Sequence, residues 1–144
     1  CNLAEVAEAT DANALFGNEM RLAEYEFEQT DNQLGLNLFW RAERNPERAY
    51  TLFVHVFDPA TGVPVAQYDG QPRQGAYATN FWQPGEVVDD RIFVSLAGVP
   101  AGEYGVAIGL YDGLTGERLP LLDAQGNLVV EDGRFILPET VTIP

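Results

Sequence analysis

The chain has 144 residues, with 22 acidic against 8 basic side chains and a formal charge of −14 at neutral pH. That charge repels phosphate backbones and argues against nucleic acid as a partner, and no run approaches the roughly 18 apolar residues of a membrane span. All eight basic residues are Arg, while Ser95, His55 and Cys1 are the sole Ser, His and Cys; Schiff-base chemistry, a Ser-His-Asp triad and a His/Cys zinc site therefore lack parts. Neither catalytic residues, a cofactor nor a metal is expected. Carboxylate-pair catalysis alone survives the inventory, because 22 acids can always supply a pair.

Residues 1–14 are Ala- and Glu-rich, with Leu3, Val6 and Ala7 at helical spacing. So short a segment is marginal as a helix in water. It is expected to be a tether or docking arm ahead of one domain at 15–144. Cys1 has two readings. Bacterial lipoproteins are cleaved directly before a Cys that is then lipidated, which would make Cys1 a lipid anchor and the only route to a membrane. The alternative is an arbitrary start.

From Leu15 the apolar period becomes two. Ala23, Tyr25 and Phe27 alternate with Glu24, Glu26 and Glu28; Leu36, Leu38 and Trp40 alternate with Asn37, Phe39 and Arg41. Leu52, Val54 and Val56 stand opposite Phe53, His55 and Phe57. Further runs at 63–69, 89–97, 103–112, 118–123, 127–132 and 134–143 give about eight or nine short strands. Gly, Pro, Asp and Asn separate them, with no helical crossovers. The expected fold is all-β: an antiparallel two-sheet sandwich, immunoglobulin- or fibronectin-like, with a jelly roll as second choice. A Cys…Trp…Cys framework is missing, which excludes a true antibody-type domain.

Asp-x-x-Thr-Gly occurs twice, at 58–62 and 112–116. A calcium loop would need several alternating oxygen donors, which neither copy has. The expected role is a turn: Asp accepts backbone N–H bonds and Gly supplies φ > 0. "LDAQGNLV" at 122–129 is a shorter version.

The stretch Trp40–Asp89 carries Trp-Arg, Phe-Val-His, Gln-x-Asp-x-x-Pro and Thr-x-x-Trp-x-Pro-Gly-Glu, followed by Gly-x-Tyr-Asp at 109–112. These features resemble a bacterial exported β-sandwich domain of the kind often appended to membrane glycosyltransferases, over roughly residues 15–137. The resemblance implies an exported, noncatalytic accessory module, and it carries no catalytic residues to transfer.

Two surfaces are candidates for binding. Residues 67–83 bring together Tyr68, Tyr77, Phe81 and Trp82 as stacking surfaces, with Asp69, Gln71, Arg73 and Gln74 as hydroxyl partners. In a carbohydrate-binding module, Tyr68, Asp69, Arg73, Tyr77 and Trp82 would hold the ligand. The competing reading makes Trp82 and Tyr77 anchors of a long cross-over loop, with Asp69 and Thr79 satisfying its backbone. Secondly, Phe39, Phe53, Phe57 and Phe93 stand opposite the aliphatic set, beside the room left by Gly105, Ala107 and Gly109. An internal segment covers this face, or else it is an interface with another protein or with copies of the same chain. His55 is expected to be a satisfied structural histidine, and Arg41, Arg44 and Arg48 a solvated connection. The leading expectation is a noncatalytic cell-surface or secreted structural module, with a homopolymeric surface fibre as one form and the carbohydrate-binding module as the alternative.

Overall fold

The computed structural model describes residues 10–30, 32–123, 125, 127–130 and 133–144. Strand β1 (Thr10–Phe16) turns through Gly17, Asn18 and Glu19 into β2 (Met20–Gln29), with φ of 59° and 61° at Gly17 and Asn18 and the Glu19 N–H bonded to the Phe16 carbonyl at 3.0 Å. Thr10–Ala14 thus belong to a strand of the sheet. Residues 1–9, including Cys1, lie outside the described residues. β3 (Gln33–Ala42), β4 (Tyr50–Phe57) and β5 (Pro64–Gly70) follow. A cross-over containing two short 3₁₀ turns, Pro72–Gly75 and Thr79–Phe81, leads to β6 (Val87–Ser95) and then β7 (Gly102–Asp112). Four short strands end the chain: β8 (Leu121–Leu122), β9 (Leu128–Val130), β10 (Phe135–Ile136) and β11 (Val141–Ile143).

The strands form two antiparallel sheets, as the alternation predicted. One has the order β6-β3-β2-β1-β8-β9; the other has β10-β7-β4-β5, with β11 also paired to β7. Without β1 and the β8–β9 pair, β2-β3-β6 face β10-β7-β4-β5. The core is thus a sandwich of three strands against four. The corner into β7 carries a mark of such folds: Tyr104 donates its hydroxyl to the Pro100 carbonyl at 2.7 Å, a tyrosine corner.

Burial follows strand parity. Leu34, Leu36, Leu38 and Trp40 from one sheet meet Leu52, Val54, Val56, Val106, Ile108 and Leu110 from the other. Trp40 packs edge-on against Phe16, with ring centroids 5.6 Å apart. In β2 a bulge between Leu22 and Glu24 breaks the alternation, so Leu22 and Tyr25 are buried and Ala23 leaves the core. A buried carboxylate, Glu19, ties the first hairpin to the β3–β4 connection: it accepts from the Tyr50 hydroxyl (2.5 Å) and the Glu47 N–H (3.0 Å). Burial and this bond both push the Tyr50 phenol well above its ordinary range.

Both Asp-x-x-Thr-Gly stretches are turns of one design. Asp58 Oδ1 accepts the Ala60 N–H at 2.9 Å, and its carbonyl accepts from Gly62 at 2.6 Å. Asp112 does the same for Leu114 (2.9 Å) and Gly116 (2.7 Å). Gly62 and Gly116 take φ of 75° and 76° in open space, so conformation alone demands glycine there. Asp123 caps its own turn through Gln125 and Asn127. The copies differ in burial: Asp112 is buried and also pairs with Arg48 at 3.3 Å, whereas Asp58 is half-exposed. Asp112→Ala should therefore cost about 1–2 kcal/mol and Asp58→Ala about 0.5 kcal/mol. Chemical denaturation of both variants checks this, and equal losses would contradict it.

Candidate functional site

The cross-over loop is held by its own chemistry-bearing residues. Trp82 is fully buried and donates its indole N–H to the Tyr77 carbonyl at 3.1 Å. Tyr77 lies beside it at 6.4 Å between centroids and donates its hydroxyl to Glu86 at 2.8 Å. Thr79 Oγ1, also buried, donates to the Arg48 carbonyl (2.6 Å) and accepts the Tyr50 N–H (2.9 Å). Asn45 Nδ2 reaches across from the β3–β4 connection to the carbonyls of Asn80 and Trp82, at 2.9 and 2.7 Å. Tyr68 packs on the core. The residues proposed for a sugar platform are therefore not gathered on one exposed surface: Trp82 offers no ring face, and only Phe81 of the loop aromatics is exposed. The loop needs them as anchors, since its backbone crosses from one sheet to the other.

Arg73 fastens the loop to β6. It adopts φ 57°, uncommon outside glycine. Its backbone N–H bonds Asp90 Oδ1 at 2.9 Å, and its guanidinium bonds both the Asp89 carboxylate and the Asp89 carbonyl. Asp90 faces inward and is buried, and its Oδ2 has no hydrogen-bond partner among the described residues. Burial pushes its carboxyl above the ordinary range, with the Arg73 bond and charge acting the other way.

The four phenylalanines do not share a face. Phe53 and Phe57 lie on the outer side of β4, whereas Phe39 and Phe93 lie on the outer side of the other sheet. Strand parity distinguishes inward from outward but not one sheet from the other. Phe53 and Phe57 are buried, so they are no free interface; the chain between β7 and β10 covers them. The Arg118 guanidinium sits 4.6 Å from the Phe53 ring centroid, and that of Arg134 sits 5.8 Å from Phe57. Gly105 and Gly109 leave the room expected of them. A Cβ at 105 would lie 2.5 Å from Phe57, and one at 109 would overlap Phe53 and crowd the Gly133 carbonyl.

Beside Phe53, a shallow hollow of about 200 Å³ is lined by His55, Asp69, Tyr111, Gly116 and Arg118. His55 stacks 4.7 Å from Phe53. Burial, then the nearby Arg118 charge, hold its imidazole below the ordinary 6.5, which favours the neutral form. Asp69 accepts from Tyr111 (3.0 Å) and Gln67 (2.9 Å). It is one of the five residues proposed for ligand binding.

On the other sheet, Phe39 is half-buried and Phe93 is 46% exposed. That sheet also ends in two unlike edges. Arg73 plugs β6, whereas β9 presents Leu128 and Val129, 55% and 56% exposed. Among the described residues, no group of three His, Cys, Asp or Glu could hold a metal ion.

Asp90 provides a direct test of the loop anchorage. Asp90→Asn keeps an oxygen for the Arg73 N–H and removes the buried charge. A carboxyl held above its ordinary 3.8 contributes stability that is fully present below that pH and lost as pH rises through the folded value. The variant should melt above the parent at pH 7, with the gap closing as the pH falls toward 4. A gap of constant size in calorimetry would contradict the assignment. No protein-family model matches the chain, and no curated protein matches it.

Proposed function

We propose that the chain is a noncatalytic structural or assembly module acting outside the cytoplasm, at the cell surface or as a secreted protein, and that it joins copies of itself through the free edge of its six-stranded sheet. The observation that carries this is the contrast between the two edges. β6 carries Asp89 and Arg91 on its outward face, and Arg73 bonds its Asp89 carbonyl. Such devices discourage strand addition. β9 exposes two consecutive aliphatic side chains and pairs only with β8 among the described residues. An unguarded apolar edge is the usual template for a further strand.

The inventory of reactive groups supports a noncatalytic role. His55 lies on β4 against Phe53, while Ser95 lies on the other sheet and accepts the Ala97 N–H. The acidic turn residues Asp58, Asp112 and Asp123 are occupied with backbone N–H groups. Export rests on the resemblance of residues 15–137 to exported sandwich domains, and a lipid on Cys1 is the membrane attachment this role allows.

Self-association is opposed by the charge of −14, and salt screens that repulsion to within about 8 Å at physiological ionic strength. Oligomers should therefore grow with protein concentration and with added salt. Val129→Lys should return the protein to monomer with its melting temperature unchanged. Analytical ultracentrifugation distinguishes the outcomes, and a parent protein monomeric at every concentration and salt level would overturn the proposal.

A further inference from the structure

One sheet ends at β6 and β9, and the other at β5 and the far side of β7, where β10 and β11 pair. Arg73 occupies the Asp89 carbonyl on β6. β11 is capped by a side chain from the opposite sheet: Gln29 Nε2 donates to the Thr142 carbonyl at 2.7 Å, and Gln29 Oε1 accepts the Thr142 N–H at 3.2 Å. The amide stands where the next strand would pair. β10 runs into Pro138 just beyond Ile136 and Leu137, and proline discourages strand addition. That leaves β9 on one sheet and β5 on the other. Among the described residues β5 pairs only with β4, and its proline, Pro64, stands at the first position, ahead of Val65–Gly70. Ala66 and Tyr68 pack on the core, whereas Val65 is 38% exposed and Val63, just before the strand, 58%.

We propose that the strand received by β9 is β5 of a second copy, so that copies join head to tail. This pairing rests on the self-association proposed above and names its partner surface. Charge separates β5 from the obvious alternative, a second β9. Residues 123–132, around β9, include Asp123, Glu131 and Asp132 and no Arg. A β9–β9 contact brings two sets of these acids together without a cation in either stretch. Residues 61–70, around β5, carry Asp69 alone, and its carboxylate already accepts from Tyr111 and Gln67. Like charges on paired strands are destabilising. In a chain of charge −14, the less acidic edge is the better partner. A contact between unlike edges is heterologous, so each added copy presents a fresh β9 or β5. It generates a ring or an open filament instead of a closed dimer.

The test compares the parent, Val65→Lys and Val129→Lys by analytical ultracentrifugation at high protein concentration and added salt. The parent should grow past the dimer. Each variant alone should stay monomeric, because each lacks one of the two edges. Their equimolar mixture should form a species of two chains and stop there, since one variant keeps β9 and the other keeps β5. Val65 is exposed, so Val65→Lys should melt with the parent. Hydrogen exchange on the parent gives a readout that needs no variant: amides of Val65–Asp69 and of Leu128 and Val129 should gain protection together as the protein is concentrated. Four results would each overturn the pairing while leaving the β9 edge in place: Val65→Lys oligomers like those of the parent, a parent that stops at the dimer, a mixture that stays monomeric, or β5 amides that gain no protection. An oligomeric Val129→Lys, or a parent monomeric throughout, would instead remove the β9 edge as an interface and this pairing with it.

Discussion

The architecture depends on a strand that is apolar on both faces. β4 puts Leu52, Val54 and Val56 into the core and turns Phe53 and Phe57 outward, where an ordinary sandwich would meet water. Two large aromatic faces left in solvent would cost several kcal/mol. The neighbouring strand answers with Gly105 and Gly109, whose missing side chains leave room for the tips of the two rings. The remaining exposure is closed by the chain that follows β7, through Arg118, Gly133 and Arg134.

That requirement explains the long excursion between β7 and β10. Its first part pairs with β7 itself, through Leu119 N–H to the Leu110 carbonyl at 2.9 Å. The next part crosses to the other sheet, where the Gly17 N–H bonds the Pro120 carbonyl at 2.9 Å and β8 pairs with β1. One segment therefore covers the aromatic pair, fastens the two sheets together and supplies the outermost strand β9. The exposed edge strand β9 is in this sense a consequence of covering β4. The β6 edge, fastened by Arg73, lies at the other end of the same sheet.

Local chemistry was legible in the sequence. The Asp-x-x-Thr-Gly turns, the paired glycines beside bulky phenylalanines, and Thr79 and Trp82 as loop anchors all depend on residues close in the chain or on simple parity. The Gly17-Asn18 turn carries a readable signal, but an alternation counted from Leu15 runs straight across it. Likewise, "PAGEY" at 100–104 held the tyrosine corner unnoticed, because Pro100 and Tyr104 look ordinary until the chain turns a corner between sheets. What parity could not supply was partnership between strands. Phe39 and Phe93 therefore seemed to join Phe53 and Phe57, and the Glu26-Asn37-Arg91 row stayed invisible. Its members are 11 and 54 residues apart and meet only through the register of three strands. A bulge at Ala23 had no sequence signal that alternation could detect.

Native-state hydrogen exchange tests most directly whether the β4 aromatics hold the excursion in place. Phe53→Leu removes the ring beneath Arg118 while leaving the inner face of β4 untouched. The amides of Leu119 and Gly17 report the two ends of the excursion's attachment, one on each sheet. Both should lose protection together in the variant, while amides of the β2–β3 pair keep theirs. Parental protection at Leu119 and Gly17 in a folded Phe53→Leu protein would show that the excursion is held without the aromatic pair, and would contradict the account.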